Sequence, residues 1–214
     1  MTFSEKPKQG RLVIFEGVDG AGKTEASDNL VRELNNRGLN ATLFKTHAGD
    51  ESPYWKSVMA SRNQLRVKLG RDLNYEVDRA IHILEFLSLA RSVLPVLLSE
   101  NNFVIADRYT LSRIVSPRIR YDLKTEAETL IEIANDIPKP DFAFYLNVSI
   151  KVAMYRIKER NTEKEWKEER EMLVKAAELY ARALKSLDYY VINANVESGQ
   201  VLNAVLSIIL QHEN

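Results

Sequence analysis

The sequence predicts an α/β protein built in three layers, a five-stranded parallel sheet with helices packed on both faces. Five short β-rich runs carry the first part of that expectation: Leu12 to Phe15, Ala41 to Lys45, Phe103 to Ala106, Phe142 to Leu146 and Tyr189 to Ile192, each the length of a buried strand. Helical spacing between them carries the second, since parallel neighbours need a crossover and short apolar strands must be covered on two sides. The third observation is size. A chain of 214 residues that is 45% hydrophobic buries a sizeable core, and with no repeat, low-complexity segment or Gly/Ser linker it reads as one domain over residues 11–214.

Ahead of that domain, residues 1–10 include Glu5, Lys6, Pro7 and Lys8 and no apolar run, so a short, flexible, solvated tail is expected and not a signal peptide. The strand Leu12 to Phe15 feeds a glycine-rich loop and then a helix with Ala26, Leu30, Val31 and Leu34 on one face, closed by Gly38 in the position of a helix C′ residue. After the strand Ala41 to Lys45 comes the loop Thr46-His47-Ala48-Gly49. The most apolar region, Ala80 to Leu98, is interrupted by His82, Glu85, Arg91 and Pro95, so no stretch reaches the roughly 18 apolar residues of a membrane span. It is nevertheless apolar over too much of its circumference for a helix with one solvated face; it is either central to the monomer or covered by a second copy. Trp166, Leu173, Ala177, Tyr180, Leu184 and Leu187 recur at helical steps and predict one long amphipathic helix before the last strand. Lys158 to Glu171 holds eleven charged residues in fourteen, among them Arg160, Lys164, Lys167 and Arg170, and reads either as a solvated helix end or as a mobile basic flap.

Composition excludes several functions. With 30 Lys plus Arg against 30 Asp plus Glu, no global field draws the protein to polymeric nucleic acid or an acidic membrane, so phosphate chemistry must come from a local cluster. The absence of cysteine removes disulfide frameworks, thiolate catalysis and Cys-ligated zinc, and fits a cytoplasmic location. His47, His82 and His212 are too scattered for a histidine metal site.

The local cluster is the loop after the first strand. Gly17-Val18-Asp19-Gly20-Ala21-Gly22-Lys23-Thr24 places glycine, four residues, glycine, lysine and threonine between an apolar strand and an amphipathic helix. Glycines let backbone N–H groups converge on phosphate oxygens, and a helix starting near Gly22 adds its positive dipole end. Lys23 then meets the β- and γ-phosphates of a nucleoside triphosphate, and Thr24 offers its hydroxyl to Mg²⁺. Asp19, a carboxylate in an anion-binding loop, is expected to point away from the triphosphate toward a hydroxyl or cation of a second substrate, or to act as a helix N-terminal acid.

Such a loop leaves the phosphate's destination open. At the end of the third strand Val104-Ile105-Ala106 turns into Asp107-Arg108-Tyr109, an acid and a base at the carboxyl edge where ligands of open α/β sheets bind. Asp107 can hold a metal-bound water or orient an attacking oxygen, and Arg108 can neutralise an acceptor phosphate. The alternative is a surface ion pair between the two.

The runs Phe15-Glu16-Gly17-Val18-Asp19-Gly20-Ala21-Gly22-Lys23-Thr24, Asp107-Arg108-Tyr109 and Lys139-Pro140-Asp141-Phe142-Ala143-Phe144-Tyr145-Leu146-Asn147-Val148 together resemble the thymidylate kinase family, over about Arg11 to Leu210. The resemblance implies a three-layer P-loop kinase fold with a short lid at about residues 158–171, transfer of the ATP γ-phosphoryl group to dTMP with Mg²⁺, and a homodimer. It also implies residue roles. Gly17, Asp19, Gly20, Ala21, Gly22, Lys23 and Thr24 would form the nucleotide-binding loop, with Thr24 and Asp107 at the metal and Asp19 facing the acceptor's sugar and phosphate end. Arg108 would hold the acceptor phosphate, Ser112 would lie near the acceptor base, and Asn193 to Val196 would fall where adenine is cradled. The loop has no arginine, so the catalytic one would come from the lid, Arg160 first and Arg156 second.

Two departures bear on specificity. Where the family has a phenylalanine that stacks on thymine and an arginine four residues later, this chain has Ile81 and Glu85, and a glutamate there would favour an exocyclic amine over a carbonyl. Where many members carry an arginine after the second strand, it has His47, with Lys45 near. A kinase for another nucleotide or nucleoside would share every phosphate-handling residue. A non-catalytic nucleotide-binding regulator would not need Arg108.

Overall fold

The computed structural model describes residues 10–46, 60, 64, 67–68, 75–121, 137–159 and 170–212. Five strands form a single sheet: β1 (Arg11–Glu16), β2 (Ala41–Phe44), β3 (Phe103–Asp107), β4 (Phe142–Asn147) and β5 (Tyr190–Asn193), in the order β2-β3-β1-β4-β5. All four pairings are parallel. The helices are α1 (Lys23–Asn36), α2 (Tyr75–Ser92), α3 (Leu94–Glu100), α4 (Thr110–Tyr121), α5 (Ile150–Glu159), α6 (Arg170–Ala183) and α7 (Ser198–Gln211). Each expected strand is present, with its ends moved by a residue or so.

Strand alternation divides the core. Val13 and Phe15 of β1 pack with Leu30 of α1, Leu173 of α6 and Ile209 of α7, while Leu12 and Ile14 face Phe86 of α2 and Leu94 of α3 on the other side. The central strands β1, β3 and β4 are sealed on both faces, which explains why they read as continuous apolar runs, whereas the edge strands β2 and β5 are partly exposed. The predicted stop at Gly38 is observed: its φ is +78°, its N–H donates to the Asn35 carbonyl at 3.0 Å, and the Leu39 N–H donates to Leu34 at 3.0 Å.

The apolar stretch Ala80 to Leu98 is two helices. Pro95 lacks the N–H that would continue α2 and sits in the first turn of α3, so the chain turns at Val93. Ile83, Phe86, Leu87 and Ala90 of α2 and Leu94 and Leu98 of α3 are buried, whereas Leu84 is 65% exposed. The amphipathic helix expected from Trp166 to Leu187 is α6, Arg170–Ala183; Trp166 and lid residues 160–169 lie outside the described residues.

Strand order positions the site. In register, Phe15 lies beside Asp107 and Glu16 beside Tyr145, so the loops after β1 and β3 leave the same edge next to one another. This is the switch point of the sheet, with β3 to one side of β1 and β4 to the other.

Candidate active site

The loop between Glu16 and Lys23 curls over the end of β1. Gly20 has φ +79° and Gly22 φ +92°, conformations that cost an L-residue about 1–2 kcal/mol. Gly20 is also required by space: a Cβ there would sit 2.5 Å from the Ala153 carbonyl oxygen, because the first turn of α5 packs directly on the loop. Lys23 opens α1, is 5% exposed, and donates through Nζ to the Val18 carbonyl at 2.9 Å inside the loop. Burial, aided by the Arg108 charge, pushes its ammonium down to about 7 against the opposing pull of Asp19, Asp107 and Glu16. The loop is therefore short of negative charge, a deficit that a polyphosphate fills.

Asp107 and Arg108 are not partners of each other. Asp107 Oδ2 accepts a hydrogen bond from Thr24 Oγ1 at 2.6 Å, joining the end of β3 to the first turn of α1. Arg108 turns the other way and forms an ion pair with Asp19, and its Nη1 donates to Ser112 Oγ at 3.5 Å. Burial opposes its charge, but Asp19, then Tyr180, Asp107 and Glu16 outweigh that and hold the guanidinium firmly protonated. Arg108 has φ 71°, a left-handed conformation adopted by a non-glycine residue, and its N–H donates to the Phe15 carbonyl at 2.9 Å. Asp19, expected to face a hydroxyl or cation of a second substrate, is here paired with the protein's own Arg108.

The element that maintains this geometry is Glu16, to which sequence patterning assigns no role. Its carboxylate is 0% exposed; Oε1 accepts from the Tyr109 N–H at 2.8 Å and the Ser112 N–H at 3.0 Å, and Oε2 accepts from the Ser112 hydroxyl and, at 3.4 Å, from Tyr180. One buried acid therefore clamps the start of α4, and with it Arg108, to β1 and to α6. The available signal was the carboxylate itself, standing at the end of a strand with no exposed face. Burial, then Glu16, pushes the Tyr180 phenol far above its ordinary range, so it stays a donor.

Arg156 of α5 lies over the loop: Nη1 donates to the Ala21 carbonyl at 3.5 Å and Nη2 to the Val196 carbonyl at 3.2 Å, bridging the glycine-rich loop to the segment after β5. Asn193 Oδ1 receives the N–H and the side-chain amide of Asn195, both at 3.0 Å, and shapes that segment. Arg160 and His47 lie outside the described residues, as does the side chain of Ile81. Glu85 is buried, 8% exposed, on α2.

Beside the start of the loop opens a cleft of about 130 Å³, lined by Gly17, Asp19, Arg108, Ser112, Arg113 and Tyr180 and by apolar groups of α4 and α6. Arg113 was not singled out by sequence. Its Nη2 donates to the Thr46 carbonyl at 2.9 Å and its guanidinium lies 5.2 Å from the centre of the Phe86 ring. Asp107 Oδ1 is buried and has no hydrogen-bond partner among the described residues. That oxygen and the Thr24 hydroxyl are hard donors of the kind Mg²⁺ takes, so the residues present fit the ion.

A lysine-bearing phosphate loop facing an arginine just past the end of the neighbouring strand, on this sheet order, defines a phosphotransferase of the P-loop class. The family profile for thymidylate kinase matches residues 15–205, and the chain belongs to that family. It is similar to the thymidylate kinase of Thermosipho africanus, 26% identical over 207 residues that cover 94% of this chain and 98% of the relative. It is similar also to a probable thymidylate kinase of Staphylothermus marinus, 29% identical over 203 residues that cover 95% and 96%. Among solved structures, thymidylate kinase from Candida albicans shares the fold, with a TM-score of 0.73 at 19% identity over 96% of this chain and 93% of that one. Membership makes the protein an ATP-dependent phosphotransferase. No helix among the described residues is long and apolar enough to cross a membrane.

Proposed function

We propose that the protein transfers the γ-phosphoryl group of ATP to dTMP, giving dTDP and ADP. The observation that supports this reading is the ion pair of Arg108 with Asp19 of the phosphate loop, which sets a guanidinium beside the triphosphate-binding loop at one edge of the sheet. An oxygen of the acceptor's monophosphate attacks the γ-phosphorus, the bond to the β–γ bridging oxygen breaks, and ADP carries away the electron pair. Such a transfer needs alignment and charge neutralisation more than covalent chemistry.

Each residue has a part in that. The N–H groups of Gly20, Ala21 and Gly22 donate to phosphate oxygens of ATP, and their negative charge opposes the burial that pushes the Lys23 ammonium down. Arg108 holds the acceptor phosphate, and Asp19 keeps Arg108 aimed while receiving the acceptor's sugar hydroxyl. Thr24 and Asp107 would hold Mg²⁺, which when bound supplies positive charge to the transferring group. Arg156 and the segment Asn193 to Val196 accommodate the adenosine end. From the lid that the resemblance implies at about residues 158–171, Arg160 would add positive charge to the transferring group. The functional unit is a homodimer in the cytoplasm, and the exposed Leu84 on α2 supports a covering copy.

The test is ADP release from ATP and Mg²⁺ with dTMP, dUMP, dCMP, dAMP or dGMP as acceptor. The proposal expects dTMP to be converted with the highest kcat/KM. Turnover of another monophosphate in preference to dTMP would reassign the acceptor, and ATP binding with no turnover of any would make the protein a nucleotide-binding regulator.

A further inference from the structure

Arg113 has no place in the phosphate chemistry described above, yet it is the second guanidinium in the acceptor cleft. It closes the first turn of α4, which starts at Thr110, and lines the same cleft as Arg108 on the opposite side of Ser112 in sequence. A nucleotide whose phosphate met Arg108 would have the rest of its length in that shared cleft. The side chain is under-bonded as it lies: Nη2 donates to the Thr46 carbonyl, while Nε is sealed from solvent with no hydrogen-bond partner among the described residues. Its plane packs near the Phe86 ring, which backs the guanidinium with an aromatic surface. Burial and then Arg108 disfavour its charge, and Glu16 and Glu85 act in the opposite sense. Glu85, on the facing helix α2, thus lies within electrostatic reach of an arginine, and it stands where the resemblance expects the thymine-bonding arginine itself.

We infer that Arg113 is the residue that reads the acceptor's base, a guanidinium supplied by α4 in place of one from α2, and that it selects bases presenting a carbonyl at the edge facing it. A guanidinium only donates, so a thymine or uracil oxygen satisfies it and the amine of cytosine or adenine does not. Glu85 then serves Arg113 instead of an exocyclic amine on the substrate. Entry of a carbonyl gives the guanidinium the acceptor that its resting position lacks.

This inference rests on the proposed dTMP site, and binding is measured so that the two can fail separately. Kd values for dTMP and dCMP are obtained by calorimetry on the full chain and on Arg113→Met and Arg113→Lys, with folding checked by thermal melting. Methionine keeps the packing against Phe86, and lysine keeps a positive charge without the planar fork. The native protein is expected to bind dTMP more tightly than dCMP, and both variants to lose about 10- to 100-fold in dTMP affinity with little change for dCMP. Equal losses for both nucleotides, rescued by lysine, would assign Arg113 to the phosphate and overturn the inference. So would an unchanged dTMP-to-dCMP ratio in the variants, or no preference in the native protein. Tight, Arg113-dependent dTMP binding without turnover would sink the proposed function while leaving this inference standing.

Discussion

Substituting alanine at two glycines of similar backbone geometry separates strain from crowding. Gly20 and Gly38 have φ +79° and +78°, so the conformational term of alanine is shared, about 1–2 kcal/mol before the gain from a stiffer unfolded chain is subtracted. Their surroundings differ. A Cβ at Gly38 meets nothing within 4 Å, whereas one at Gly20 meets the Ala153 oxygen, Cα and carbonyl carbon at 2.5, 2.9 and 3.0 Å, all backbone of α5. Overpacking of that kind typically costs a further 1–3 kcal/mol. Gly38→Ala is therefore expected to lose about 1 kcal/mol in urea denaturation and Gly20→Ala about 2–4 kcal/mol. Only the latter should raise the KM for ATP, since pushing α5 away from the loop also withdraws Arg156 from the Ala21 carbonyl. Equal losses in the two proteins, or an unchanged ATP KM in a folded Gly20→Ala, would refute the reasoning.

Lys23→Ala should abolish transfer while leaving the urea midpoint near that of the native protein, because the lysine meets phosphate charge and not packed apolar surface; normal turnover in steady-state assays would count against the loop assignment. Arg108→Ala is expected to raise the acceptor KM and lower kcat well beyond any change in ATP affinity, and loss of ATP binding alone would move Arg108 to the donor side. Tyr180→Phe removes contacts with Glu16 and the Ser112 hydroxyl, predicting a loss of about 1 kcal/mol by thermal melting together with a weaker acceptor KM; a shift in the KM for ATP alone would contradict the clamp. Leu84→Glu should shift sedimentation at micromolar concentration from dimer to monomer, and a native protein that already sediments as a monomer would dispose of the homodimer.

Local chemistry determined a good deal on its own. The central strands β1, β3 and β4 are almost wholly buried and apolar, and the edge strands β2 and β5 keep β-rich composition, so all five stand out as short runs; the αL stop at Gly38 follows from the one residue without a Cβ. The phosphate loop was legible because its function is performed by consecutive backbone N–H groups, which a contiguous motif can specify. The break at Val93 was not drawn from Pro95, although the missing N–H was there to be read. Tertiary structure alone decided the partners: Thr24 with Asp107 across 83 residues, Asp19 with Arg108 across 89, and Glu16 with Tyr180 across 164. Those pairs exist because β3 inserts beside β1 and α6 returns over the same edge, and a sequence pattern with periods of two or 3.6 residues records which face a residue occupies but not which strand lies next to it. Along the chain Glu16 and Arg113 read as ordinary polar residues and Tyr180 as one step of an apolar stripe; what they do comes from convergence in a buried, low-dielectric space where each charge or hydroxyl must find the others.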